Sequence, residues 1–213
     1  MSQKHKYAYI LLTDTGTWFS RIIRFFTRQE LNHASIALDS ELKQVYSFGR
    51  KRADNPFRGG FVKENIRGSL FGNANCEIYR CRLSESEYQK MKTVIKRFER
   101  RAPFFRYNLT GLIGVLLNRP IQPSCAYFCS QFVATVFERA GRPLVQKCPA
   151  LTKPVDLTNS EQVELYYRGS LHFYLRSPHL HLPDLHHPKS QDRIFQDADV
   201  QEMPDPYMFP TAI

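Results

Sequence analysis

One cysteine of the chain, Cys129, has a sequence context that favours nucleophilic chemistry. It follows a loop that contains Pro120 and Pro123, and it begins a helical pattern that Gly141 and Pro143 close. A thiol in the first turn of a helix ionises more readily, because unpaired backbone N–H groups and the helix dipole stabilise the thiolate. The alternative is a small buried cysteine that only packs, which is the more common role of a single cysteine.

A nucleophilic thiol needs a base, and two histidines, His33 and His172, lie in the regularly patterned part of the sequence after its first few residues. His33 follows a polar loop and begins a strand pattern, a position from which an imidazole can face the start of a helix. His172 has aromatic neighbours and is more typical of packing. We therefore expect His33 to be the base, with a core histidine as the alternative.

The second imidazole nitrogen needs a polar partner that fixes the ring. Residues 33–38 and 44–48 form a predicted β-hairpin, and a turn at 39–41 would place Ser47 nearly opposite His33. Ser47 is therefore the predicted third residue. A hydroxyl orients an imidazole less strongly than a carboxylate, but Asp39 is too close to the turn to reach the ring.

The elements that would position these residues combine strands and helices. Strand patterns cover 6–13, 33–38, 44–48 and 76–83, with a short strand at 61–62 and a segment at 163–174 that could close the sheet. Helical patterns cover 17–27, 84–101, 108–117 and 128–140. The predicted fold class is α+β, an antiparallel sheet flanked by helices, with the Cys129 helix packed against the His33 strand.

A chain of 213 residues is long enough for one sizeable core. We expect a single domain over 1–176, followed by a proline- and histidine-rich tail over 177–213 that lacks periodicity and a fixed fold. The net charge of +10 divides into +14 (28 basic, 14 acidic residues) for 1–176 and −4 (2 basic, 6 acidic) for the tail. The basic body favours contact with an anionic ligand or surface.

One predicted helix has contact with the surface of a bilayer as an alternative to packing on the sheet. The 17–27 helical pattern mixes Trp18 and phenylalanines with arginines, so that helix either packs on the sheet or lies on a membrane. No apolar run reaches the ~20 residues that span a bilayer, and the apolar run 7–12 is too short for a signal peptide. We therefore expect a cytoplasmic protein.

The five cysteines are expected to be free thiols of a reducing compartment, because their number is odd and the protein is expected to be cytoplasmic. Cys76 and Cys81 have no second cysteine pair or histidine cluster to complete a metal site. We therefore predict no metal and no cofactor. Specific nucleic-acid binding is not expected either, because no recognisable nucleic-acid-binding motif accompanies the basic charge.

Three segments together resemble a known family: His-Ala-Ser-Ile-Ala-Leu-Asp from His33, Val-Tyr-Ser-Phe from Val45, and Tyr-Phe-Cys-Ser-Gln-Phe-Val from Tyr127. They resemble the circularly permuted NlpC/P60-like (papain-like) group, which includes YiiX-type amidases and lecithin retinol acyltransferase-like proteins. In that group the histidine strand precedes the cysteine helix, as in this sequence. The resemblance covers residues 6–174.

The resemblance implies that Cys129 is the nucleophile, that His33 is the base, and that Ser47 takes a third polar position where relatives often have Glu or His. Tyr127 would help to place the substrate carbonyl, with the backbone N–H of Cys129 in an oxyanion hole. The implied activity is that of a cysteine-dependent hydrolase (amidase or peptidase) or acyltransferase, which forms a thioester with a peptide, amide or lipid acyl substrate. The alternative, favoured by a serine at position 47, is a catalytically inactive binding module of the same fold.

Overall fold

A computed structural model describes residues 6–14, 31–50, 59–177 and 180. The chain divides into two compact units, Met1–Leu182 and Pro183–Ile213, and all described residues belong to the first. The predicted helix over 17–27 lies outside the described residues, as does the predicted tail apart from Ser177 and Leu180. No helix in the described ranges is long and apolar enough to cross a bilayer.

The described residues form a six-stranded sheet in which all neighbouring strands are antiparallel. Its strands are β1 (Lys6–Asp14), β2 (His33–Ala37), β3 (Val45–Arg50), β4 (Gly59–Glu64), β5 (Asn75–Leu83) and β8 (Val163–Ser170). Their order is β4-β3-β2-β1-β5-β8, so β4 and β8 are the edge strands of this sheet. Two short strands, β6 (Arg106–Tyr107) and β7 (Ala126–Tyr127), form a separate parallel pair.

Five α-helices accompany the sheet in the described ranges: α1 (Glu85–Arg100), α2 (Leu109–Leu116), α3 (Cys129–Ala140), α4 (Pro154–Thr158) and α5 (Leu171–Arg176). The start of α1 is a capping box, because the Glu87 N–H donates to Ser84 Oγ and the Ser84 N–H donates to Glu87 Oε2. Helix α3 ends at Gly141, whose φ of 85° suits a residue without Cβ. The predicted α+β class, an antiparallel sheet with helices, is confirmed.

Each face of the sheet carries its own apolar core. Ala34 and Ile36 of β2 point to the face where the buried residues of α1 and α3, such as Met91 and Phe132, pack. The opposite face carries a second core that includes Leu11 of β1, Ile78 of β5, and Leu171 and Tyr174 of α5. Because side chains alternate along a strand, Ser35 points to the side opposite Ala34 and Ile36.

The β2–β3 hairpin has a different register from the predicted one. Ile36 pairs with Tyr46 and Ala37 with Val45, which continues to Ser47 opposite Ser35. The connection extends to Gln44 and contains Leu42, which is buried and adopts a left-handed φ of 52°. The predicted position of Ser47 opposite His33 is therefore wrong by two residues, because the turn is centred later than 39–41.

Candidate active site

The Cys129 side chain is buried at the start of α3. The Gln131 side chain fixes this helix start, since its Oε1 accepts a hydrogen bond from the Phe128 N–H at 3.3 Å. Hydrogen bonding from the backbone of Ser130 and of Ala34 on β2 helps to lower the pKa of the thiol. The thiol therefore lies where the first turn of α3 meets the strand that carries His33, as the sequence predicted.

His33 is the first residue of β2, and its imidazole interacts with the Cys129 thiol closely enough to raise its own pKa and to lower that of the thiol. The other ring contact is at Nε2, which lies 2.6 Å from Oε1 of Glu64. Because Nε2 is taken by the carboxylate, Nδ1 is the nitrogen that remains for the thiol. The structure therefore brings the predicted nucleophile and the predicted base together.

The acid of the site is Glu64, the last residue of β4. Its carboxylate accepts hydrogen bonds from the hydroxyls of Ser47 at 2.6 Å and Ser35 at 2.7 Å, in addition to its contact with His33. The side chain of Glu64 is 6% exposed and that of His33 is 18% exposed. Three donors thus hold a carboxylate that is almost shielded from water.

Ser47 occupies a different place from the one predicted for a third catalytic residue. Its hydroxyl donates to Glu64, so it supports the group that orients the imidazole, and the orienting group itself is the carboxylate. The sequence prediction missed Glu64 because it limited the strand to 61–62, whereas β4 extends through Glu64. The available signal was that Glu64 and Asp54 are the two acidic residues of the basic, glycine-rich stretch 49–72.

The charges of this site stabilise one another. Burial lowers the pKa of His33, but the Glu64 charge and the hydrogen bonding of the ring to Cys129 and Glu64 outweigh this effect and raise that pKa to about 10. Burial raises the pKa of Glu64, but the positive charge of His33 and the hydrogen bonds of His33, Ser47 and Ser35 hold it below its ordinary value.

The pKa of the Cys129 thiol depends on the same group of charges and hydrogen bonds. Burial raises the pKa of Cys129, but the hydrogen bond and charge of His33, with the backbone hydrogen bonds of Ala34 and Ser130, outweigh it and lower that pKa. A raised histidine pKa and a lowered cysteine pKa favour a thiolate–imidazolium pair, the reactive form of a cysteine nucleophile.

The tyrosine whose hydroxyl interacts with the Cys129 thiol is Tyr107, whereas the resemblance implies that Tyr127 places the substrate carbonyl. The Tyr127 ring packs in the aromatic core, with its centre 5.1 Å from that of Phe48 and 5.3 Å from that of Phe98. Tyr107 pairs with Tyr127 between β6 and β7. Burial, followed by the charge and hydrogen bond of Cys129, raises the pKa of Tyr107 well above its ordinary value, so this hydroxyl stays protonated beside the thiolate.

A close backbone approach places Tyr107. A Cβ on Gly59 would lie 2.7 Å from the Cβ of Tyr107 and 3.0 Å from the carbonyl oxygen of Gly49. Separations under about 3 Å are too short for ordinary side-chain packing. Glycine at position 59 therefore lets β6 lie against β4, which brings the Tyr107 side chain to the thiol.

A cleft of about 400 Å³ adjoins the site. Its lining includes Phe104, Arg106, Tyr107, Leu109 and Pro123. Because Tyr107 both lines this cleft and contacts Cys129, the cleft is the candidate path for a substrate.

The remaining cysteines have other surroundings. Cys76 and Cys81 are buried, and desolvation, which is the main cause for both, raises the pKa of Cys76 to about 12 and also raises that of Cys81. Cys125 and Cys148 are exposed free thiols. Among the described residues, no group of three His, Cys, Asp or Glu side chains could hold a metal ion.

Comparison of the chain with protein-family models, with curated proteins and with solved structures finds no match. The function must therefore be argued from the geometry and chemistry of the site.

Proposed function

We propose that the chain is a cysteine-dependent hydrolase of the amidase or peptidase type, or an acyltransferase, that forms a thioester on Cys129. In this proposal the fold is a permuted papain-like one, in which the histidine strand precedes the cysteine helix. The observation that carries the proposal is the succession of Glu64, His33 and Cys129, in which Nε2 of His33 lies 2.6 Å from Glu64 and the imidazole and the thiol shift each other's pKa. A carboxylate, an imidazole and a thiol in this order match the roles of acid, base and nucleophile in covalent acyl transfer.

The first half of the reaction forms the thioester. The Cys129 thiolate attacks the carbonyl carbon, and the negative charge moves to the carbonyl oxygen. The N–H of Cys129 can donate a hydrogen bond to this oxygen, because the first N–H groups of a helix have no intrahelical partner. The His33 imidazolium then gives its proton to the leaving amine or alcohol as the C–N or C–O bond breaks.

The second half releases the acyl group. Neutral His33 takes a proton from a water molecule, or from the hydroxyl or amine of an acceptor, while the oxygen or nitrogen attacks the thioester carbon. The C–S bond breaks, and the thiolate–imidazolium pair is restored. Glu64 stays ionised throughout and stabilises the imidazolium, so its role is electrostatic and orienting.

The alternative of an inactive binding module rested on a serine in the third position. Glu64 supplies the negative charge that a serine cannot, and the raised pKa of His33 follows largely from it. This observation favours a working nucleophile over an inactive relative of the same fold. Peptide, amide and lipid acyl groups all remain substrates of the right bond class.

The test is to trap the thioester. A variant with Cys125→Ser and Cys148→Ser removes the exposed thiols, and p-nitrophenyl acetate serves as the acyl donor. We expect rapid acetylation of Cys129, detected by intact-mass spectrometry and peptide mapping, and a large loss of its rate in His33→Ala. Cys81→Ser is the matched control for a buried thiol outside the site. Acetylation of Cys129 at the same rate in His33→Ala would contradict the proposal.

A further inference from the structure

Helix α2 presents a large apolar surface to solvent. Its exposed residues Leu109, Ile113 and Leu116 recur every three or four positions and therefore lie on one face, which Leu117 extends. The exposed fraction reaches 54% for Ile113 and 63% for Leu117. An amphipathic helix in a globular protein normally turns such a stripe towards the core, so this helix has the opposite orientation.

The inward face of α2 explains why the helix cannot rotate its apolar stripe into the protein. Gly111 and Gly114 are buried there. A Cβ on Gly111 would collide with the side chain of Asn108, and one on Gly114 would lie 2.5 Å from the carbonyl oxygen of Arg119. The two glycines thus let the buried face of α2 pack closely against its own N-cap residue and the segment that follows the helix, and a large residue would not fit on this face.

The charged residues of the segment that contains this face have a single sign. Residues 100–137 contain no aspartate or glutamate. They contain four arginines, Arg100, Arg101, Arg106 and Arg119, all of which are exposed. Phe104, which is 70% exposed, lies in the same segment and lines the cleft together with Leu109 and Arg106. This segment therefore combines exposed apolar side chains with exposed arginines and no acidic residue.

We propose that the α2 face, defined as Phe104, Leu109, Ile113, Leu116 and Leu117 with Arg106 and Arg119, docks onto an anionic phospholipid bilayer. A helix that lies in the interface inserts its apolar residues among the lipid headgroups, while arginines attract anionic lipids. A helix of eight residues is too short to span a bilayer, so it lies on the surface.

Charge distinguishes this occupant from a second copy of the chain. A symmetric dimer places the same patch of both subunits together. It would bring two sets of arginines towards each other with no acidic residue from 100–137 to compensate them. An anionic membrane satisfies both the apolar and the basic part of the α2 face. This docking surface does not depend on the proposed activity of Cys129.

The test is sedimentation of the full chain with vesicles of phosphatidylcholine alone and of phosphatidylcholine with phosphatidylserine. We expect binding to the anionic vesicles that weakens as salt is raised. The double variant Ile113→Ser/Leu117→Ser should bind at least about tenfold more weakly, because two large side chains no longer leave water. Arg106→Gln/Arg119→Gln should lose affinity several-fold, chiefly at low salt.

The matched control is Phe173→Ser on α5, because Phe173 and Ile113 are equally exposed at 54%. This variant should bind like the unmodified chain, and circular dichroism should show that all variants keep their fold. Three outcomes would overturn the proposal: no binding of the unmodified chain to either vesicle, full binding by the Ile113→Ser/Leu117→Ser variant, or a dimer in light scattering that this variant converts to a monomer. The last outcome would assign the face to self-association.

Discussion

Nε2 of His33 and Oε1 of Glu64 lie 2.6 Å apart, although the two residues belong to strands β2 and β4, which are separated by β3. The contact reaches across the middle strand, and Ser47 of β3 donates a further hydrogen bond to the same carboxylate oxygen. The acid–base pair therefore depends on three strands at once.

Replacing the Glu64 carboxylate should make the Cys129 thiol less reactive. In the Cys125→Ser/Cys148→Ser variant, Glu64→Gln removes the charge that raises the pKa of His33. The thiolate of Cys129 then loses its partner, and the rate of alkylation by iodoacetamide at neutral pH should fall at least about tenfold, the change in ionised fraction for one pKa unit. Glu164→Gln, which removes an exposed carboxylate from an ion pair with Arg80, is the control. Equal rates in the two variants would rule out Glu64 as the acid.

Removing a hydroxyl that donates to Glu64 should lower the stability of the protein more than it lowers the reactivity of Cys129. Ser47→Ala and Ser35→Ala each leave the buried Glu64 carboxylate with one donor fewer. The free energy of unfolding in urea should fall by about 1.5–3 kcal/mol for each variant. Alkylation of Cys129 should fall less than in Glu64→Gln, because His33 keeps its charged partner. A loss of reactivity in Ser47→Ala as large as in Glu64→Gln would restore Ser47 as the residue that orients the imidazole.

The two tyrosines of the β6–β7 pair should behave differently. Tyr107→Phe removes a hydroxyl that contacts the thiol, and alkylation of Cys129 should slow several-fold because the thiolate loses a hydrogen-bond donor. Tyr127→Phe keeps the ring in the aromatic core and should leave alkylation unchanged. The same assay on both variants gives the comparison, and equal effects would contradict the placement of Tyr107 at the thiol.

The contribution of His33 to stability should depend on pH in a defined direction. Its pKa is raised from an unfolded value of about 6.5 to about 10, so the contribution is complete below the lower value and is lost as pH rises through the upper one. The pKa of Glu64 is lowered, so its contribution is lost when pH falls below the ordinary carboxyl range. The difference in unfolding free energy between the unmodified chain and His33→Gln should therefore be largest between the ordinary carboxyl range and about pH 6.5, and it should shrink as pH rises to about 10. A difference that grows with alkalinity would contradict the charge pair.

Filling the space above Gly59 should displace Tyr107. Gly59→Ala introduces a Cβ 2.7 Å from the Cβ of Tyr107, and overpacking of this kind costs about 1–3 kcal/mol of stability. Gly72→Ala is the control, because its new Cβ would meet the Ser69 carbonyl oxygen at 3.5 Å, an ordinary contact. Thermal melting and the alkylation rate measure the two effects. If Gly59→Ala matched Gly72→Ala in both measurements, the close approach would not position the site.

The elements with local signals were predictable from the sequence. Ser84 with Glu87 indicated the start of α1, and Gly141 indicated the end of α3, because capping depends on neighbouring residues alone. The positions of Cys129 at the start of a helix and of His33 at the start of a strand were predictable for a related reason, since the pattern of each element is visible in the sequence.

The role of Glu64 as the partner of His33 was not predictable in the same way. The pairing of Glu64 with His33 requires the register of two hairpins, and one of these registers depends on the left-handed conformation of Leu42. The observed register of the β2–β3 hairpin differs from the predicted one by two residues, so Ser47 lies opposite Ser35 and not opposite His33. Similarly, Tyr107 and Tyr127 are paired residues of two-residue strands, and packing in the aromatic core decides which of them meets the thiol.

The position of Glu64 on an edge strand has a consequence for how the site would fail. Strand β4 is hydrogen-bonded within the six-stranded sheet to β3 alone, and edge elements open at a lower free energy than the centre of a protein. Fraying of β4 from its Glu64 end would separate the carboxylate from the imidazole while β1, β2 and α3 stay packed. As temperature rises, Cys129 would then lose its reactivity before the protein unfolds globally, so inactivation and global unfolding would be two separate events.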